Sequence, residues 1–216
     1  MGKSARAGNK ASKTERQGNY LAELTGVIGK LWGDRSECVE ASALFAATAE
    51  RLRTPVTIRA VSVLAIDTEA RRVAAIGVAA GEEAESLGVT VVGAPEDVSA
   101  SSFPRAGHLI LTNDALSMVF DPTFRQFSKD GLPEIIVAGK VRSTRPSTGR
   151  LNVTLGDGQV TVAYFFDDEN TGWQAGVAAV QPQWASVADR LATHIRGGGT
   201  AATLDFVIPW DEHPGL

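Results

Sequence analysis

Once the chain leaves its polar start, Tyr20, Leu21, Leu24, Val27, Ile28 and Leu31 recur at helical spacing. They predict an amphipathic helix over 19–32. Gly33 ends it, since glycine adopts the left-handed cap conformation at least cost. Asp34 or Ser36 then caps a second helix, and Asp34-x-x-Glu37 reads as a variant capping box. This second helix runs to about Arg53 and stops before Thr54-Pro55. Cys38, Ala41, Phe45, Ala49 and Leu52 share one of its faces; Val39, Ala43, Ala46 and Ala47 cover much of the rest. A helix apolar on most sides belongs in the middle of a domain.

The pattern then turns to strands. Val56 to Leu64 is β-branched with partial alternation and predicts one strand. Glu82 to Leu87 predicts a short helix, Val89 to Val92 a short strand, and Pro95 to Ala106 a surface loop. Two strands follow, Leu109 to Thr112 and Ser117 to Asp121, and then Glu134 to Val141. Arg142 to Arg150 is a polar connection. Leu151 to Leu155 and Val160 to Phe166 flank Asp157-Gly158 and predict a hairpin turning on that dipeptide. Pro182 begins a last helix with Trp184, Val187, Leu191 and Ile195 on one face, ended by Gly197-Gly198-Gly199. Thr203 to Ile208 predicts a terminal strand.

Composition narrows the class. The 216 residues suit one domain, or a core with an appended lobe, and 44% apolar with 21% charged residues is ordinary for a globular protein. No apolar run reaches the roughly 18 residues of a membrane span, and the N-terminus lacks a secretory h-region. Arg6 stands where a myristoylation signal wants Ser or Thr. One cysteine forms no internal disulfide, which fits a reducing cytoplasm. A net charge of −4 offers nucleic acid no overall attraction. Residues 1–17 depart from this, with Lys3, Arg6, Lys10, Lys13 and Arg16 against Glu15 alone. They predict a disordered basic arm, either a solvated tail or a contact for phosphates or an acidic partner.

Candidate chemistry begins with the lone cysteine. A thiol attacks carbonyls as thiolate, and a helix N-terminus favours that form through its unpaired N–H groups and partial positive charge. Cys38 is so placed, and its own backbone N–H would face a developing oxyanion. Taken alone, Cys38 reads equally as a small buried core residue. The strands on either side of Asp114-Ala115 add a geometric argument. An even loop centred between those two pairs Thr112 with Ser117, Ile110 with Val119, and so His108 with Asp121. The two side chains then share a face with Cβ atoms roughly 5 Å apart. In that arrangement a carboxylate fixes a histidine's tautomer and supports its protonated form. A loop one residue longer or shorter would throw them to opposite faces.

Other polar features read as structure. His194 suits the last turn of a helix, and His213 lies in a tail. Three scattered histidines and one cysteine make no zinc site. Asp167-Asp168-Glu169 is a solvated turn, and Gly197-Gly198-Gly199 follows a helix where a phosphate cradle would precede one.

Cys38-x-x-Ala41 opening a buried helix, His108 on a strand and Asp121-Pro122-Thr123 closing the next strand resemble the transglutaminase-like branch of the papain-type cysteine enzymes. The resemblance covers residues 30–127. It implies an α+β fold in which a central helix packs on an antiparallel sheet, a catalytic core over 18–141, and 142–216 as a C-terminal hairpin-and-helix extension packed on that core. It also implies Cys38 as nucleophile, His108 as base and Asp121 as orienter. The superfamily includes proteases, deamidases, cross-linking acyltransferases and peptide N-glycanases, so a protein, a peptide or a small amide or acyl compound is the implied substrate. Trp32 lies six residues before Cys38, where papain-like enzymes place a Gln; it reads as packing under the central helix, and its indole N–H also makes it the oxyanion-hole candidate, with Gln17 and Asn19 as weaker ones. Val39 and Leu109-Ile110 stand where the family often carries aromatic residues. Cys38-x-Glu40 with Leu44-Phe45 is also similar to the arylamine N-acetyltransferases, which use the same triad. No cofactor is implied, unless the acyl donor is a coenzyme A thioester. A non-catalytic binding domain on the same scaffold is the remaining expectation.

Overall fold

A computed structural model describes residues 12–32, 37–91, 107–141 and 149–205. Helix α1 spans Lys13–Trp32 and buries Leu21, Leu24, Val27 and Ile28. It starts six residues earlier than its apolar pattern predicts. Ser12 Oγ accepts from the Glu15 N–H at 3.2 Å, and Glu15 Oε2 accepts from the Ser12 N–H at 2.6 Å. That reciprocal capping box turns residues 13–17 of the expected basic arm into the first turns of the helix; residues 1–11 lie outside the described residues.

Helix α2 spans Cys38–Arg51 and buries Ala41 through Phe45 and Ala47 through Ala49. Small side chains let it sit against α1 and two later helices on one side and the sheet on the other. The Phe45 and Phe120 rings, with centroids 5.7 Å apart, join helix to sheet. Burying such a ring contributes roughly 2–3 kcal/mol. Arg53, in the left-handed conformation at φ 58°, stops the chain before Thr54-Pro55. The expected caps Asp34 and Ser36 lie outside the described residues; the residue at the N-cap is Glu37, which makes no side-chain cap hydrogen bond.

The sheet is antiparallel throughout and grows from β1, Thr57–Asp67. Along one edge β1 pairs first with β3, His108–Asn113, and then with β2, Arg72–Ile76. Beyond β3 lie β4, Met118–Asp121, and β5, Val137–Lys140. The other edge carries β7, Val160–Phe166, and then β6, Arg150–Leu155. The outer strands curl toward each other until a Cβ on Gly139 of β5 would stand 2.9 Å from Val153 Cγ1 of β6. The sheet is therefore nearly closed, with Val61, Val63, Ile110, Val119, Val162 and Tyr164 filling its inner face. On the outer face Ala60, Leu109, Leu111 and Phe120 meet α1, α2 and the C-terminal helices α4, Trp173–Val180, and α5, Ala185–Arg196. Helix α3, Val78–Ser86, covers Leu64 and Ala163. Among the described residues no helix is long and apolar enough to cross a membrane.

Several expectations need correcting. Within 149–205, β7 lies beside β1 and α5 packs on α2, so these residues complete the sheet and the helical layer. Strand β2, Arg-Val-Ala-Ala-Ile, is short and its two alanines give it weak strand propensity. It forms because Asp67 Oδ1 accepts from the N–H groups of Glu69 and Ala70, both at 2.9 Å, turning the chain back on β1. The β6–β7 hairpin is as expected, with Leu155 paired to Val160 across a four-residue loop that contains Asp157-Gly158. Residues 89–91 and 203–205 are not strand. The surface loop expected over 95–106 lies outside the described residues.

Candidate active site

Strand pairing brings His108 and Asp121 together one step away from the expected register. Leu111 pairs with Phe120 and Thr112 with Val119, so the four-residue loop is the predicted length but sits one residue further along. Asn113 stays in the strand because its side chain accepts from the Leu116 N–H at 2.9 Å, and Ser117 closes the turn at φ 51°. Continuing the register sets Asp121 opposite Ile110. His108 and Asp121 are thus diagonal neighbours on one face, since a shift of one residue in each strand preserves parity. His108 Nε2 lies 2.8 Å from Asp121 Oδ2, with 2% and 0% of the two side chains exposed.

The carboxylate is held on every side. Asp121 Oδ1 accepts from the Thr123 N–H at 3.2 Å and the Thr123 hydroxyl at 3.4 Å. Tyr164, reaching in from β7, donates its phenol O–H to Asp121 Oδ2 at 3.2 Å. Burial and the Asp121 charge raise the Tyr164 phenol well above its ordinary range, so it stays a donor.

Cys38 is the first residue of α2 and is half-buried. It opens a helix whose first N–H groups have no intrahelical partner. The thiol lies near enough to the imidazole to support its charged form. Burial opposes charge on the His108 ring, but attraction and hydrogen bonding to Asp121, then hydrogen bonding and attraction to Cys38, outweigh it and raise the ring to about 10. Cysteine sulfur, imidazole and carboxylate therefore converge where a helix tip meets the sheet.

Gln126 and Tyr164 carry no signal in the sequence that would have found them. Gln126 belongs to a 3-10 turn, Phe124–Asp130, without apolar periodicity, and its Nε2 lies 3.0 Å from His108 Nδ1. The charged ring carries a proton on Nδ1, so the Gln126 side-chain amide can meet it only through its oxygen, which accepts and supports the charged form. Gln126→Ala should therefore lower the His108 titration, read by imidazole NMR, and slow Cys38 alkylation at neutral pH about 3- to 10-fold, as the loss of one hydrogen bond allows. A rise in both would assign the amide N–H to a neutral ring instead.

Trp32, the expected oxyanion donor, is a core residue. It is 1% exposed and packs edge-on against Trp184, with centroids 5.5 Å apart, inside the helical layer. An indole contributes more by burying its rings there than by facing the thiol. A cavity of about 440 Å³ opens beside Gly107, between the starts of α3 and α4, and is lined by Ser62, Gly77, Asp167 and Asn170. Its lining includes Gly107 but none of Cys38, His108 and Asp121. Compared with protein-family models, curated proteins and solved structures, the chain matches none.

Proposed function

We propose that this chain is a cysteine-dependent acyl-transfer or amide-hydrolysing enzyme with a transglutaminase-like, papain-type arrangement of Cys38, His108 and Asp121. The observation that carries this reading is the buried 2.8 Å His108–Asp121 contact, whose charged ring is supported by the thiol of Cys38 at the first residue of α2. A charged imidazole sealed under a sheet costs several kcal/mol unless its partners offset it. Core packing alone gives no reason to hold one beside the chain's only cysteine.

In the proposed cycle the Cys38 thiolate attacks the carbonyl carbon of an amide or thioester. The carbonyl electron pair moves to oxygen, which the Cys38 backbone N–H receives. As the tetrahedral species collapses, His108 gives its proton to the departing amine or thiol, leaving an acyl-thioester. Water or an amine then attacks, passes a proton to His108, and releases Cys38. Asp121 holds the ring in one tautomer throughout, and Thr123 and Tyr164 hold Asp121. Substrates are amides or thioesters of proteins, peptides or small molecules, and a reducing compartment such as the cytoplasm would keep the thiol free.

The test is the pH profile of Cys38 alkylation by iodoacetamide. A thiolate–imidazolium pair reacts at a nearly constant rate from pH 6 to about pH 9, whereas an ordinary thiol slows about tenfold per unit below its titration point. His108→Asn should convert the first profile into the second. Protection of Cys38 at pH 6 would favour a non-catalytic binding domain.

A further inference from the structure

The mouth of the nearly closed sheet away from the cysteine holds a second set of polar groups that the proposed chemistry does not use. Arg59 on β1 and Thr112 on β3 sit on the inner face as diagonal neighbours, since Thr57 pairs with Thr112 and Arg59 with Ile110. Thr112 is four residues beyond His108, about 13 Å along the strand at 3.3 Å per residue. Both residues line a cavity of about 350 Å³ whose walls include Met118, Val141, Leu151 and Phe166.

Two buried polar atoms in this cavity have no partner among the described residues. Arg59 Nε is shielded from solvent without a hydrogen bond, and so is Thr112 Oγ1, whose residue is 4% exposed. The Arg59 guanidinium is steadied by the Phe166 ring, 4.8 Å from its Cζ to the centroid, and no carboxylate pairs with it among the described residues. Arg150 at the edge of the same cavity is already committed, to Glu83 at 2.6 Å and Asn152 at 2.9 Å. Asp114 at the rim is exposed.

A shielded guanidinium edge beside a shielded hydroxyl is costly when both lack acceptors, and both are donors. A guanidinium presents its N–H groups as a planar fork matched to a carboxylate. Among the described residues the surrounding walls are largely apolar and supply one uncommitted cation, which suits a monoanion with a hydrocarbon body better than a phosphate dianion. We propose that this mouth binds a small organic monocarboxylate, with the carboxylate on Arg59 and Thr112 and the apolar body against Met118, Val141, Leu151 and Phe166. The site is separate from the Cys38–His108–Asp121 cluster and does not depend on its chemistry.

The experiment is ligand-observed NMR titration of the full chain with hexanoate and benzoate, using hexanol, hexylamine and inorganic phosphate as comparators. The carboxylates should bind saturably with Kd below about 1 mM, and the comparators at least tenfold more weakly. Arg59→Gln and Arg59→Lys should each lose at least tenfold, the lysine because it keeps the charge and loses the fork; Thr112→Val should lose several-fold. Circular dichroism and thermal melts establish that each variant is folded, and Cys38→Ser should bind as the wild type does. Absence of saturable binding, phosphate binding as tightly as hexanoate, retention in Arg59→Gln, or loss in Cys38→Ser would each overturn the proposal.

Discussion

Cys38→Ser is expected to lower turnover of an activated acyl probe, such as a p-nitrophenyl ester, by about 10⁴-fold or more. The hydroxyl keeps the shape of the thiol but is far harder to ionise, and the imidazole beside it is already charged at neutral pH and has no free lone pair to act as its base. Stability should change by less than about 1 kcal/mol, because the side chain is half-buried at the first residue of a helix and fills no sealed space. The contrast between the two readouts is the informative part. An interior cysteine replaced by serine would show the reverse, a loss of stability with whatever activity there was left intact. Equal turnover by the variant and the wild type would remove Cys38 from the chemistry.

Asp121→Asn should damage both readouts. The carboxylate is fully buried and accepts from His108, Tyr164 and Thr123, so an amide in its place puts an N–H₂ where an acceptor is needed. Breaking one side of a buried pair costs about 3–5 kcal/mol, measurable by urea unfolding, and loss of the orienting charge should cut turnover by about 10²- to 10⁴-fold. The stability difference should also depend on pH. His108 stands at about 10 in the folded protein, above the 6.5 of a free imidazole. The stabilisation from its charged form is therefore complete below pH 6.5 and is lost as pH rises through 10. Unfolding of wild type and variant at pH 6, 8 and 10 should show the gap narrowing upward. A gap of constant size would mean that the ring is not charged in the folded state.

What could be read from the chain beforehand was whatever depended on local pattern. Helix α2 was legible because Ala and apolar residues surround it, and only a buried helix looks that way. The shared face of His108 and Asp121 was legible because it depends on loop parity, which survived although the register did not. The one-residue displacement was set by Asn113 and Ser117, whose capping and left-handed turn compete with the pairing assumed between their neighbours. Helix α1 began early because Ser12 and Glu15 form a box in a stretch whose composition suggested no structure. Tyr164 and Gln126 were invisible for a different reason. Each reaches the site through a placement that only the folded sheet supplies, Tyr164 by pairing opposite Val63 and Gln126 by a short 3-10 turn.

The position of β1 bears on how the molecule is assembled. Val61 pairs with Phe166, about a hundred residues later, so the strand at the centre of the sheet is completed only after that much more chain has been made. Contacts so distant in sequence make for slow folding, in the millisecond-to-second range of β-rich domains. Until β7 arrives, one long flank of β1 is an open template for strands of other chains. The nascent protein must pass through that sticky interval before Tyr164 can reach Asp121.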